Sequence, residues 1–204
     1  EAVTPSGRAG WRARFTPLEA GSHTWKLSVR TCSGSIETKI HSFDVAPGEP
    51  HGFVRVSKSD PRYFETADGK WFYPLGENIH APFDKRCAEM LHVPVLPNRG
   101  TFAYDDYFAK MAASGQNACV VWMSNWWVSI EWTDKWKSFR GLADYNQENA
   151  WRLDRIFDAA SRHGLHINLV LDNHGKLSTW VDSEWETNPY NAKNGGPCRR
   201  PEDF

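Results

Sequence analysis

Apolar positions follow two different rules along this chain. Up to residue 47 they alternate with polar ones, as in Trp11-Arg12-Ala13-Arg14-Phe15, in Thr24-Trp25-Lys26-Leu27-Ser28-Val29 and, more weakly, in 36–45. A period of two with one buried face predicts strands. Pro17, Gly21-Ser22 and Ser33-Gly34-Ser35 punctuate them as turns. Three strands are too few for a complete sandwich. Residues 1–47 therefore read as the C-terminal part of an Ig-like β-sandwich domain. Residues 48–70 read as a linker followed by a β-hairpin, with Asp68-Gly69 as the turn between extended runs.

From Trp71 onward the apolar positions come in unbroken runs, 71–76, 118–123 and 166–171, of the kind that strands covered on both faces show. Between them the spacing turns helical. Tyr107, Phe108, Met111 and Ala112 share a face within 104–114, with Gly115 as the stop. Ala150, Leu153, Phe157 and Ala160 share one within 146–163, with Asn146 as a cap and Gly164 as the stop. Apolar strands alternating with helices predict parallel β/α units. The connections after strands are long, 124–145 and 172–204, whereas those after helices are short, Gly115-Gln116-Asn117 and Gly164-Leu165. Loops of that asymmetry belong to an α/β fold with a functional face at the strand C-termini. Residues 71–204 are thus expected to be the N-terminal part of an incomplete (β/α)8 TIM barrel, its first three strands, since a whole barrel takes roughly 250 residues. A doubly wound sheet shares the asymmetry. The chain is expected to be a fragment of a longer protein.

Charge and cysteine content narrow the chemistry. Lys and Arg number 24 against 25 Asp and Glu, which excludes a basic nucleic-acid module and a polybasic membrane binder. No apolar run approaches the roughly 18 residues that span a bilayer. Cys32, Cys87, Cys119 and Cys198 form no CxxC pair and no Cys/His ligand spacing, so their pattern supports no zinc site. Cys119 reads as core; Cys87 and Cys198 lie in loop-like stretches where a disulfide could form, but free thiols are the expected state.

Eleven tryptophans stand out. Many fall where strands end: Trp122, then Asn125-Trp126-Trp127, Trp132 and Trp136 after the second run, and Trp180 and Trp185 after the third. Glu77-Asn78-Ile79-His80 closes the first run, and Asp172-Asn173-His174 the third, followed by Asn188, Tyr190 and Asn191. Indole faces suit the C–H face of a pyranose, and amide, carboxylate and imidazole groups read its hydroxyls. Trp126, Trp127, Trp132 and Trp136 cannot all be core, so at least two are expected to line a cleft. Trp71 and Trp151 are expected to pack within regular elements, and Trp11 and Trp25 within the β-module. Asp172-Asn173-His174 has three readings: hydroxyl recognition or orientation of a catalytic carboxylate, a strand-end hydrogen-bond cluster, or a metal pair of Asp172 and His174 with His80. Glu77 reads as a polar anchor.

Several segments resemble a known family. Gly52-Phe53-Val54-Arg55-Val56, Asp60-Pro61-Arg62-Tyr63-Phe64, Asp68-Gly69 and Phe72-Tyr73-Pro74-Leu75-Gly76-Glu77-Asn78 resemble the junction of certain bacterial glycoside hydrolases. In these a β-sandwich of unknown function, "domain 5060", precedes a cellulase-like barrel of clan A. Trp151-Arg152-Leu153-Asp154 to Leu171-Asp172-Asn173-His174 is similar to their second helix and third strand. Asn188-Pro189-Tyr190-Asn191 with Gly195-Gly196-Pro197 is similar to the loop that follows. The resemblance implies a retaining hydrolase that uses two Glu, after the fourth and seventh strands, and no cofactor. No position here matches either Glu, so no catalytic residue is assigned and the chain alone is expected to be inactive. The implied substrate-facing set is Asn78, His80, Trp122, Asn125, Trp126, Asp172, Asn173 and His174, with Asn188, Tyr190 and Asn191 beside them. The implied partner is a polysaccharide or oligosaccharide, in a secreted or periplasmic setting. A non-catalytic carbohydrate-binding protein and a metal-dependent hydrolase built on Asp172 and His174 are the alternatives.

Overall fold

The computed structural model describes residues 1–7, 13, 15, 17, 19–47, 52–93, 99–132 and 141–204. Most of the 11–15 strand, the 48–51 linker and Trp136 lie outside them. The chain divides into two compact units, one of residues 7–73 and one of residues 1–6 with 74–204.

In the first unit, β1 (Gly21–Trp25) pairs antiparallel with β4 (His41–Val45), and β2 (Ser28–Thr31) forms a hairpin with β3 (Gly34–Glu37). Directly opposed aromatic rings stitch the first pair: Trp25 stacks on His41 with centroids 4.5 Å apart, and His23 on Phe43 at 5.6 Å. The alternation over 24–29 reads as one strand, but the ladder breaks at Lys26-Leu27. There Thr38 N donates to Leu27 O and Leu27 N to Thr38 Oγ1, so the chain changes partners. Trp25 is 43% exposed rather than core, because no described strand covers that face.

A second small sheet follows, with β5 (Arg55–Val56), β6 (Phe64–Glu65) and β7 (Trp71–Phe72) antiparallel in that order. The β6–β7 turn holds Gly69 at φ +82°, a conformation that favours glycine. Glu65 is buried here, paired with Arg55 at 2.9 Å and accepting from Ser57 Oγ at 2.8 Å.

The apolar run 71–76 is not one buried strand. Pro74, which has no N–H to give a ladder, falls in its middle. Trp71-Phe72 pairs backward with β6, whereas β8 (Gly76–Asn78) belongs to the second unit. Trp71 is 63% exposed, against the expectation that it packs.

The second unit is built on a parallel sheet in the order β10-β9-β8, with β9 (Ala118–Trp122) between β8 and β10 (His166–Val170). Gly76 sits so close to β9 that a Cβ there would lie 1.6 Å from Ala118 O, so only glycine fits the pairing. Because the strands are parallel, Asn78, Trp122 and Val170 all end on one edge.

Two helices cover the sheet. α2 (Ala103–Ala113) buries Tyr104, Tyr107, Phe108 and Met111, and α3 (Gln147–Arg162) buries Leu153, Ile156, Ala159 and Ala160. Asn146 caps α3 by accepting from Asn149 N at 3.1 Å. The buried stripe of α3 is rotated from the one its sequence suggests: Asn149, Leu153, Ile156 and Ala160 face inward, while Phe157 and Trp151 are about 40% exposed. The rotation follows Asn149, whose Nδ2 donates to Ser129 O at 2.8 Å and pins that side of the helix to the loop. Asp105 of α2 pairs with both Arg155 and Arg162 of α3. A six-residue helix, α1 (Lys85–Met90), not foreseen, lies in the connection after β8. A one-turn helix, α4 (His174–Leu177), follows β10. Cys87 and Cys198 are both buried and free, not disulfide-bonded, and Cys119 is core as expected.

Candidate functional site: two hollows at the strand ends

Parallel strands deliver their loops to a common edge, and the aromatic residues gather there. His80, two residues beyond β8, lies 5.0 Å from Trp122 at the end of β9, centroid to centroid, and 5.9 Å edge-on to Trp126. Trp122 in turn lies 5.9 Å from His174, the first residue of α4. Phe83 backs Trp126 from the side of the first loop. Trp122, Trp126, Asn173 and His174 line an open groove of about 520 Å³, completed by Asp182, Ser183 and Glu184. His174 Nε2 and Asp182 Oδ2 are 2.9 Å apart across it. Asn173 is 5% exposed, and its Oδ1 has no hydrogen-bond partner among the described residues.

A second hollow, about 230 Å³, lies among Met123, Glu131, Trp132, Asp172, Lys176 and Tyr190. Its polar groups are tightly engaged. Tyr190 donates its hydroxyl to Glu131 Oε2 at 2.6 Å, and Ala143 N donates to the other oxygen at 2.9 Å. The hydrogen bond to Glu131, and after it burial, pushes the Tyr190 phenol well above its usual range. Lys176 bridges Asp172 Oδ1 at 3.0 Å and Leu171 O at 2.8 Å.

The expected site residues therefore separate. Trp122, Trp126, Asn173 and His174 come together in the groove, and His80 contacts its two indoles without lining it. Asp172, Asn188 and Tyr190 line the second hollow. Asn78, Asn125 and Asn191 line neither. Asn188 and Asn191 turn their amides to the backbone: Asn188 Nδ2 donates to Lys176 O at 2.9 Å and Asn191 Nδ2 to Trp185 O at 3.0 Å. Their part is to hold the 172–204 loop in shape. Asn125 is 4% exposed, with Oδ1 unpartnered among the described residues. Of the loop indoles, Trp126 lines the groove, Trp132 the second hollow, and Trp127 packs against the core. Glu77 accepts a long bond from Gln116 Nε2 at 3.5 Å. Asp182 and Ser183 lie in an aperiodic stretch that offers no sequence signal for them.

At the mouth of the first loop His80 Nε2 is 2.9 Å from Asp84 Oδ2, and the thiol of Cys87 donates to Asn78 O at 3.3 Å. Burial holds the imidazole below its usual pKa, in spite of Asp84, and so favours the neutral ring. A hydrogen bond from Arg86 keeps the Asp84 carboxyl below its ordinary range, and burial raises the Cys87 thiol to about 11.

No protein-family model matches the chain, and no curated protein matches it. Among solved structures it is similar to a proposed glycoside hydrolase from Bacteroides vulgatus, at 19% identity and a TM-score of 0.46 over 77% of this chain. The match spans 31% of that structure, about a third of its length. A likeness of this size establishes neither fold nor activity.

Proposed function

We propose that the groove framed by Trp122 and Trp126 binds a saccharide, and that the chain is part of a glycoside hydrolase acting on a polysaccharide or oligosaccharide. The observation that carries the reading is the joining, in one open groove, of two indoles from the end of β9 and its loop with Asn173, His174 and Asp182 from the segment after β10. An indole offers a flat apolar face for a sugar ring, and the polar residues supply both donors and acceptors for its hydroxyls. Among the described residues Asn173 Oδ1 is a buried acceptor without a donor, and a turn of its amide toward the groove would offer it to a sugar hydroxyl.

The hydrolase part of the proposal rests on the family resemblance of the β8 junction and of the Asp172-Asn173-His174 and Asn188-Pro189-Tyr190-Asn191 segments. In that reading the parallel sheet is the beginning of a TIM barrel and residues 1–47 part of an Ig-like sandwich. The hydrolysis is retaining, on two Glu that match no position in this chain, and the setting is secreted or periplasmic. The alternative, a carbohydrate-binding protein without catalysis, uses the same groove.

The test is titration of the chain with β-glucan and β-mannan oligosaccharides, followed by tryptophan fluorescence, with reducing ends assayed in parallel. Saturable quenching without release of reducing ends is the expected result. Absence of any fluorescence change with either series would refute saccharide binding by this groove. Turnover by the chain alone would overturn the assignment of the two Glu to positions outside it.

A further inference from the structure

The sequence offers no zinc spacing, yet the fold assembles a donor set that reading along the chain misses. His80, Asp84 and Cys87 each present one ligand atom, and these atoms all lie within 4.8 Å of one another. Among the described residues they are the cluster of three that could hold a metal ion; Asp172 and His174 form no such cluster. We propose that His80 Nε2, Asp84 Oδ2 and Cys87 Sγ form a binding site for a divalent transition metal of the zinc class, with a fourth position left to water. This inference is independent of the saccharide reading.

Three arguments support it. First, the donor chemistry fits: imidazole, carboxylate and thiolate are the ligands that zinc takes, and three protein ligands with an open position are a common set. Second, the local structure holds the donors. Asp84 is the N-cap of α1 and Cys87 lies three residues on, so the helical turn places both on one side. His80 is fixed from the opposite direction by its ring contacts with Trp122 and Trp126. Third, the surroundings need little rearrangement. Tetrahedral zinc bonds of about 2.0–2.3 Å place one sulfur and two N/O ligands roughly 3.3–3.6 Å apart, so separations that now reach 4.8 Å close by up to about 1.5 Å and the 2.9 Å contact of His80 with Asp84 opens slightly. The Arg86 guanidinium contacts both Asp84 oxygens, at 3.2 Å to Oδ1 and 2.8 Å to Oδ2. Its side chain is 83% exposed and free to release Oδ2. The Arg86 amide donates to Oδ1 at 2.9 Å and still orients the carboxylate as an outer partner. On binding, Cys87 Sγ gives its proton to solvent and takes the metal in its place, and His80 Nε2 exchanges its contact with Asp84 for a metal bond. The bound ion would anchor the first loop to the helix and fix the His80 ring beside Trp122.

Cobalt(II) is the probe, because a thiolate ligand gives a sulfur-to-cobalt charge-transfer band in the near ultraviolet. The chain is expected to bind one equivalent with that band, and zinc to displace it in competition with a chromophoric chelator. Cys87→Ser is expected to abolish the band. His80→Gln and Asp84→Asn are each expected to weaken zinc at least by the roughly 10–100-fold that loss of even an outer partner costs. Cys32→Ser, at an exposed thiol, should change nothing. A missing band, a band that survives Cys87→Ser, or one lost in Cys32→Ser overturns the site. Because Cys87 is buried, far-UV circular dichroism checks that its variant folds. If it does not, the His80 and Asp84 variants decide: wild-type zinc affinity in both refutes the proposal.

Discussion

Trp126 and Tyr190 show how single side chains divide the work at the strand-end edge. Trp126 is partly buried against Phe83 yet still lines the groove, so its indole serves both packing and contact. Trp126→Ala is expected to weaken oligosaccharide binding about tenfold, the effect of losing about 1.4 kcal/mol of ring contact. Trp180→Ala, at a residue 86% exposed that lines neither hollow, should leave it unchanged; calorimetric titration distinguishes the two. Tyr190 instead closes the second hollow by donating to Glu131. A phenol whose pKa is raised on folding adds stability that is complete below its unfolded pKa of about 10 and lost as pH rises through the folded value. Tyr190→Phe is therefore expected to cost about 1 kcal/mol near pH 8. Its deficit relative to wild type should narrow above pH 10, as urea unfolding at the two pH values would show.

At the scale of elements, what could be read in advance was what local chemistry decides. Asn146 caps α3 and Gly115 and Gly164 stand just past α2 and α3 at φ +78° and +69°, each a feature carried by a few neighbouring residues. The runs 118–123 and 166–171 become β9 and β10 for the same reason. What could not be read depends on distant partners. The facing of α3 follows Asn149 and its bond to Ser129, 20 residues away in sequence. The split of 71–76 follows from which neighbour each half pairs with, β6 or β9. The groove is legible only in part: its indoles and Asn173-His174 sit at strand ends, but Asp182 arrives through a loop shaped by Asn188 and Asn191, whose side-chain bonds to backbone leave no periodic trace. The cap gives the sharper test at this scale. Asn146→Ala is expected to lower stability by about 1 kcal/mol, and Asn146→Asp to restore most of it, because Asp also accepts from the N3 amide. Thermal unfolding followed by circular dichroism measures both. A negligible loss for Ala would mean that the backbone donation of Asn146 N to Ile130 O at 2.6 Å, which both variants keep, and not the side-chain cap, holds the helix start.

The whole molecule raises the question of its sheet edges. The parallel sheet has β9 inside and β8 and β10 outside, so among the described residues one side of each outer strand pairs with no other strand. β8 is three residues long, which blunts its edge. β10 is five residues long, with Ile167, Leu169 and Val170 around a single exposed position, Asn168. An unpaired strand of that composition is a template for pairing with another chain. In a barrel the same edges would receive further strands, which is why this exposure accords with the fold proposed here. The chain on its own is therefore expected to self-associate through β10 as concentration rises. Asn168→Lys places a charge at the exposed position of that strand, where it repels a second copy without entering the core. It should reduce concentration-dependent light scattering several-fold while changing unfolding stability by no more than about 0.5 kcal/mol, as surface substitutions do. Leu169→Lys offers the contrast: it puts a charge among side chains packed against the core, so it should lower stability whatever happens to association. Undiminished scattering in Asn168→Lys would place the contact on another surface, and the exposed apolar side chains of the first unit, Ile36 and Ile40, would be the next to carry the charge.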